Sequence, residues 1–251
     1  MTPLSSGYEL RSVVHLVRPT GARAQNLEEL RAGIVDAPDR SLFFHARHHQ
    51  LRHPASEEPV HDDFSAWVNG VVQDRETAER ISFAVQNRAE SPESLRGALL
   101  DALLQVPESE RLSRGTQPES EFVFLLAESV PLPTGVTVAT ARELVHGLIA
   151  ADASVWFFHL IEQPWFPEGP LLGDWLIARG EERLAAWLIV GAASGQPIEV
   201  MRRRLLRRWR QGRISRRVSE AAGASDEVRR EAGRSTVARL VRRIHKPEPP
   251  A

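Results

Sequence analysis

The chain contains no cysteine, one lysine and one tyrosine in 251 residues. Lack of cysteine excludes disulfides, thiolate metal sites and a cysteine nucleophile, and it fits a reducing cytoplasm. No stretch approaches eighteen consecutive apolar residues, so no membrane span is expected. Met1 to Gly7 lacks the basic start and apolar run of a signal peptide. No glycine-rich phosphate loop precedes a helix, no Gly-x-Ser-x-Gly elbow is present, and no pair of carboxylates stands out. These absences favour a cytoplasmic binding protein over an enzyme.

What the chain does have is a segment written twice, 114 residues apart. Ser6 to His45 aligns with Ser120 to His159 without a gap, and eleven of the forty pairs are identical. Chance gives about three. Pro19-Thr20-Gly21 falls on Pro133-Thr134-Gly135, Glu29-Leu30 on Glu143-Leu144, and Phe43-Phe44-His45 on Phe157-Phe158-His159. With the following loop shortened by six residues, Trp67 lands on Trp175 and Ile81 on Ile189. The expected organisation is repeat one over 7–106, a linker over 107–120, repeat two over 121–211 and a basic helical tail over 212–251.

The fold class that follows is mainly α: two pseudo-symmetric helical repeats, each opened by one short strand. The strands are Tyr8 to Val17 and Phe122 to Val130, each closed by Pro-Thr-Gly as a turn. The unbroken apolar run Phe122 to Leu126 suits a buried strand. Asn26 and Thr140 cap the next helices, which are expected to turn Leu27, Leu30, Ile34 and Val35, or Leu144, Leu148 and Ile149, inward. Helices around Phe-Phe-His, around Trp67 and Trp175, over Arg75 to Val85 and Glu181 to Val190, and from Ser91 and Gln196 onward complete the units. Gly212, Ser215, Gly223 and Ser225 are expected to break the last helix before another over 226–245.

A helical projection of the Phe-Phe-His segment puts His45, His48, His49 and Arg52 on one side. His45 and His49, four apart, have the spacing for one metal, with Asp62 as a third ligand and His159 as the matching position in repeat two. The alternative is that His45 and His159 bond the backbone of a strand or loop, while His48, His49 and His53 sit in water. A metal-dependent hydrolase using His45, His49 and Asp62 therefore stands beside the binding reading. The sequence assigns no cofactor.

Charge is lopsided. From Met201 onward sixteen basic residues face five acids, a balance of +11; the whole chain is at −1, so the first 200 residues hold −12. Arg202 to Arg217 carries nine arginines and no acid. The expected binding or adaptor protein takes a ligand or protein in a groove between the repeats and an acidic protein partner on this segment; alternatively the segment suits nucleic acid, with Trp209 placed to stack beside Arg207, Arg208 and Arg210. Trp165-Phe166 lies between two prolines in a loop, open to a partner or collapsed onto the neighbouring repeat.

Ser41-Leu42-Phe43-Phe44-His45, followed by a histidine-containing segment and Asp62-Asp63-Phe64-Ser65-Ala66-Trp67, resembles a bacterial and archaeal family labelled domain of unknown function 5752. Asn26-Leu27-Glu28-Glu29-Leu30 is similar to that family's first helix. The likeness covers Tyr8 to Val106, and repeat two, where Leu172 replaces Phe64, matches it more faintly. It implies two tandem copies of one fold unit and no catalytic residue.

Overall fold

The computed structural model describes residues 7–55, 62–88 and 90–222, with side chains to Gln211. His61 and the expected helix over 226–245 lie outside the described residues. The described residues form twelve α-helices and a two-stranded antiparallel sheet. Strand β1 (Tyr8–Ala24) is followed by α1 (Leu27–Asp36), α2 (Asp39–Arg47), α3 (His49–Arg52), α4 (Asp63–Trp67), α5 (Arg75–Asn87), α6 (Pro92–Leu104) and α7 (Glu108–Ser113). Strand β2 (Phe122–Val138) then leads into α8 (Ala141–Ala150), α9 (Ala153–Phe157), α10 (Leu172–Ile177), α11 (Glu182–Ala193) and α12 (Ile198–Ala222). A π-helical turn extends α4 over Val68–Val72, and another extends α9 over Phe158–Glu162.

Both strands run seventeen residues, so the expected short strands are too short. Pro-Thr-Gly does not end them. It forms a bulge: the ladder slips between Pro19 and Arg23, Gly21 takes φ 94°, and Gly135 takes φ 76°. Proline is tolerated because each strand of a two-stranded sheet is an edge and needs only half its N–H groups for pairing. Thr20 and Thr134 secure the bulges by donating to Phe124 O at 3.0 Å and to Leu10 O at 2.6 Å. Nor is Phe122 to Leu126 buried on both faces: Phe122 and Phe124 are buried, while their neighbours are partly exposed.

The register has a simple rule. Tyr8 pairs with Val138 and Ala24 with Phe122; Arg11 pairs with Pro133 and Pro19 with Leu125. An offset of 114 turns each of these pairs into the other, and the pair His15–Ser129 maps onto itself. The start of each strand enters the core opposite its own helices. Phe122 and Phe124 belong to the cluster with Leu27, Leu30, Ile34, Phe64 and Trp67. The Tyr8 ring lies tilted against Trp175, centroids 5.5 Å apart, and Leu10 approaches Gly147 so closely that an added Cβ there would lie 2.8 Å from it. Gly33 has the same relation to Phe124, whose ring occupies the space a Cβ would need. Each buried aromatic or leucine is worth about 1.5–3 kcal/mol, so these crossings tie the halves firmly.

Helix starts follow the expected chemistry. Asn26 accepts from Glu29 N, Thr140 accepts from Glu143 N, and Ser91 with Ser94 forms a capping box. Leu27, Leu30 and Ile34 are buried, whereas Val35 faces out. Two expectations change. The 107–120 segment is ordered: α7 docks on α1, where Arg111 is buried and ion-pairs with Glu28 at 2.5 Å. Helix α12 also continues through Gly212 and Ser215, since one glycine costs about 1 kcal/mol, too little to stop a long helix. By contacts, the described residues up to Arg203 form one compact unit. The reason is topological: the halves of this unit share one sheet.

Candidate functional site

His45 and His159 do the same thing in opposite directions. The backbone N–H of Leu125 in β2 donates to His45 Nε2 at 2.9 Å, and that of Arg11 in β1 donates to His159 Nε2 at 2.8 Å. Leu125 faces Pro19 and Arg11 faces Pro133, residues with no N–H to exchange. A backbone N–H can only donate, so each Nε2 is the acceptor and each proton resides on Nδ1. His45 Nδ1 donates to Asp63 Oδ2 at 2.9 Å, and Arg52 neutralises the same carboxylate. His159 Nδ1 instead meets Tyr8 Oη at 2.8 Å and Gln163 Oε1 at 3.1 Å.

Both imidazoles are neutral. Burial pushes the His45 pKa down against the pull of Asp63, and burial lowers His159 to about 4. Asp63 is raised by burial but held lower overall by its bonds to His45 and Arg52. Burial also raises the Tyr8 phenol, against the nearby Arg11 charge. Metal ligation through Nε2 of His45 or His159 would displace the strand N–H bound there, leaving a backbone donor of the sheet unpaired.

Under the centre of the sheet sits a second polar cluster. His15 Nε2 lies 2.8 Å from Glu162 Oε2, Ser129 donates to the other carboxylate oxygen, and Arg40 stands 3.5 Å from it. The π-helical turn carries both His159 and Glu162. The His48 ring packs edge-on to His15 with centroids 4.2 Å apart, among Phe43, Phe44 and Phe157. Burial, followed by the neighbouring His15, lowers His48 to about 3. Its Nε2 is buried with no hydrogen-bond partner among the described residues. These contacts join residues of both halves, and their geometry is that of a polar clamp.

The remaining candidates disperse. His48 and His49 are buried, not solvated as expected, because the polar side of α2 and α3 faces inward; only His53 of the three is exposed. Burial lowers His49 to about 4, and its Nδ1 lacks a partner among the described residues. Asp62 caps α4, accepting from Ser65 N at 2.8 Å and Ser65 Oγ at 2.6 Å; burial raises its pKa against those bonds. It is Asp63, not Asp62, that meets His45. No group of three or more His, Asp or Glu side chains suited to a metal is found among the described residues.

Trp165 and Phe166 fold onto α2, each about 5 Å from Phe43, with Arg47 over Trp165 and Arg40 over Phe166. On α12, Arg203, Arg207, Arg208 and Arg210 are exposed and Trp209 is half-buried. Sequence places Asp63 among further possible ligands and Glu162 on the polar side of the second Phe-Phe-His helix, but does not single out Tyr8, His15, Arg40 or Ser129. The available signal was the 114 offset itself, which lays His15 on Ser129 and His48 on Glu162.

A family model described as a family of unknown function (DUF5752) matches residues 5–206, one span that runs through both halves. Among curated proteins none matches. A solved structure, OrfY from Thermoproteus tenax, is similar with a TM-score of 0.68 and 22% identity, covering 81% of this chain and 95% of that one. That likeness is one of fold. No described helix is long and apolar enough to cross a membrane. The chain belongs to the DUF5752 family.

Proposed function

We propose that this DUF5752 member is a non-catalytic binding or adaptor protein, built from two diverged tandem copies of one helical unit, that holds an acidic protein partner through α12. The duplication is supported by the self-mapping register, the paired threonine bonds and the exchange of His45 and His159 across the halves. A cytoplasmic setting agrees with the lack of cysteine.

The observation that carries the binding reading is the charge of α12. Arg203 and Arg207 stand one turn apart and are exposed, with no acid between Met201 and Gln211. Like charges at that spacing cost about 0.2–0.5 kcal/mol per pair, a repulsion that bound carboxylates reverse. The histidines of the Phe-Phe-His motif, by contrast, spend both ring nitrogens on structure, which favours binding over metal-assisted hydrolysis.

Salt-dependent retention on immobilised polyglutamate and on duplex DNA tests the proposal. Binding to polyglutamate that is lost in Arg207→Glu/Arg208→Glu supports it. Tighter retention on DNA, with a steep fall of log affinity against log salt, would replace the protein partner with nucleic acid. No retention on either removes the reading.

A further inference from the structure

Residues 48–50 are polar, buried and short of hydrogen bonds. His48 is 4%, His49 8% and Gln50 2% exposed. His48 Nε2, His49 Nδ1 and both amide atoms of Gln50 are closed off from solvent with no hydrogen-bond partner among the described residues. Such an atom loses its hydration with nothing in return, which favours opening by a factor of about ten for each group. The segment also lies against the second half. The His48 ring meets Phe157 of α9 with centroids 5.1 Å apart, a Cβ on Gly195 would sit 3.6 Å from Gln50 Nε2, and Glu199 N donates to Pro54 O at 2.9 Å.

We propose that residues 48–53 are an acid-sensitive strap over the join between the halves, which detaches as a unit and uncovers Phe43 and Phe157. The His48 ring packs edge-on to both of those side chains. Little holds the strap from within. Helix α3 is a single turn, closed by Leu51 N and Arg52 N on His48 O and by His53 N on His49 O. From outside, Arg52 reaches Asp63 at 2.5 Å. None of this rests on the charge of α12.

Charge sets the direction of the response. His48 is faced by His15 of β1, His45 of α2, Arg52 of α3 and Asp63 of α4, and His49 by Arg47, Arg52, His53 and Asp63. Asp63 is the carboxylate among them, and it is already bonded to His45 and Arg52. Glu162, on the far side of His15, is taken up by His15, Ser129 and Arg40. A proton added to His48 or His49 in place therefore meets cations and no free acid. Burial holds the two rings at about 3 and about 4, below the ordinary 6.5 that they regain once detached and hydrated. Protonation thus has no effect on the strap above pH 6.5 and favours detachment progressively as pH falls below it.

Residue-resolved amide hydrogen exchange on the full chain, corrected for intrinsic exchange, is the test. Opening at Leu51, Arg52 and His53 should rise up to about a hundredfold per pH unit below pH 6.5, about tenfold for each histidine. These amides should exchange at least about tenfold faster than those of α1 throughout. His49→Leu should remove about half of that logarithmic slope. Gln50→Leu, which replaces a partnerless amide by an apolar group, should slow opening about tenfold at every pH and leave the slope alone. The slope in the parent chain stands as a test even where a variant fails to fold. Strap amides that follow intrinsic exchange alone, or that exchange together with α1, overturn the inference. So does a folded Gln50→Leu chain whose strap opens faster than the parent's.

Discussion

The Phe-Phe-His helix of the first half and that of the second half reach the same end by different chemistry. In both, an imidazole accepts a strand N–H from the opposite half. In the first, the proton on the far side of the ring is held by a carboxylate, Asp63, itself balanced by Arg52. In the second it is held by the neutral pair Tyr8 and Gln163, and a π-helical turn replaces the regular continuation. What persists is the bond between halves; what changes is the group that fixes the ring. That pattern marks the histidines as fasteners of a shared sheet.

The largest test of this comparison is in the crossed core. Phe124→Ala should cost about 3–5 kcal/mol and Leu10→Ala about 2–4 kcal/mol, measured by denaturant unfolding. Equal and small losses would mean the strands do not enter the opposite cores. Next comes pH. His159 has its folded-state pKa lowered to about 4, below the unfolded value of 6.5, so the unfolded chain takes up the proton first. Its stabilising effect is complete above pH 6.5 and declines as pH falls toward 4, by roughly 3 kcal/mol. His159→Gln should flatten the fall of melting temperature over that window; an unaltered acid limb would contradict the assignment.

Removing the fasteners should separate the halves' chemistry. His45→Leu strands the N–H of Leu125 and removes one of the two partners of the Asp63 carboxylate, leaving Arg52, a loss of about 2–3 kcal/mol, whereas His159→Leu disturbs only neutral groups, about 1–2 kcal/mol. Identical losses would show that the carboxylate adds nothing. Smallest is the glycine pair. Gly33→Ala drives a methyl into the rigid Phe124 ring and should cost about 1–3 kcal/mol, while Gly147→Ala meets the mobile end of Leu10 and should cost about 1 kcal/mol or less.

Much of this architecture is legible in the chain itself, because capping and amphipathic spacing are local. Asn26, Thr140 and Ser91 start helices where their side chains indicate. The strand ends are not legible: Pro-Thr-Gly is ordinary turn chemistry, and only the partner strand makes it a bulge. The histidine site divides in the same way. A backbone bond for His45 and His159 is an expectation that the spacing permits, but the choice of Asp63 over Asp62 depends on which carboxylate caps α4. Burial of His48 and His49 is invisible too, since an angular plot gives a polar side without saying that His15 of β1 and Phe157 of α9 close over His48.

Nitrogen-15 NMR of the histidine rings at neutral pH probes the fastener account most directly. It predicts that His45 and His159 are both neutral, protonated on Nδ1, with Nε2 hydrogen-bonded to the amides of Leu125 and Arg11. Rings protonated on Nε2, or carrying a full positive charge at pH 7, would contradict it.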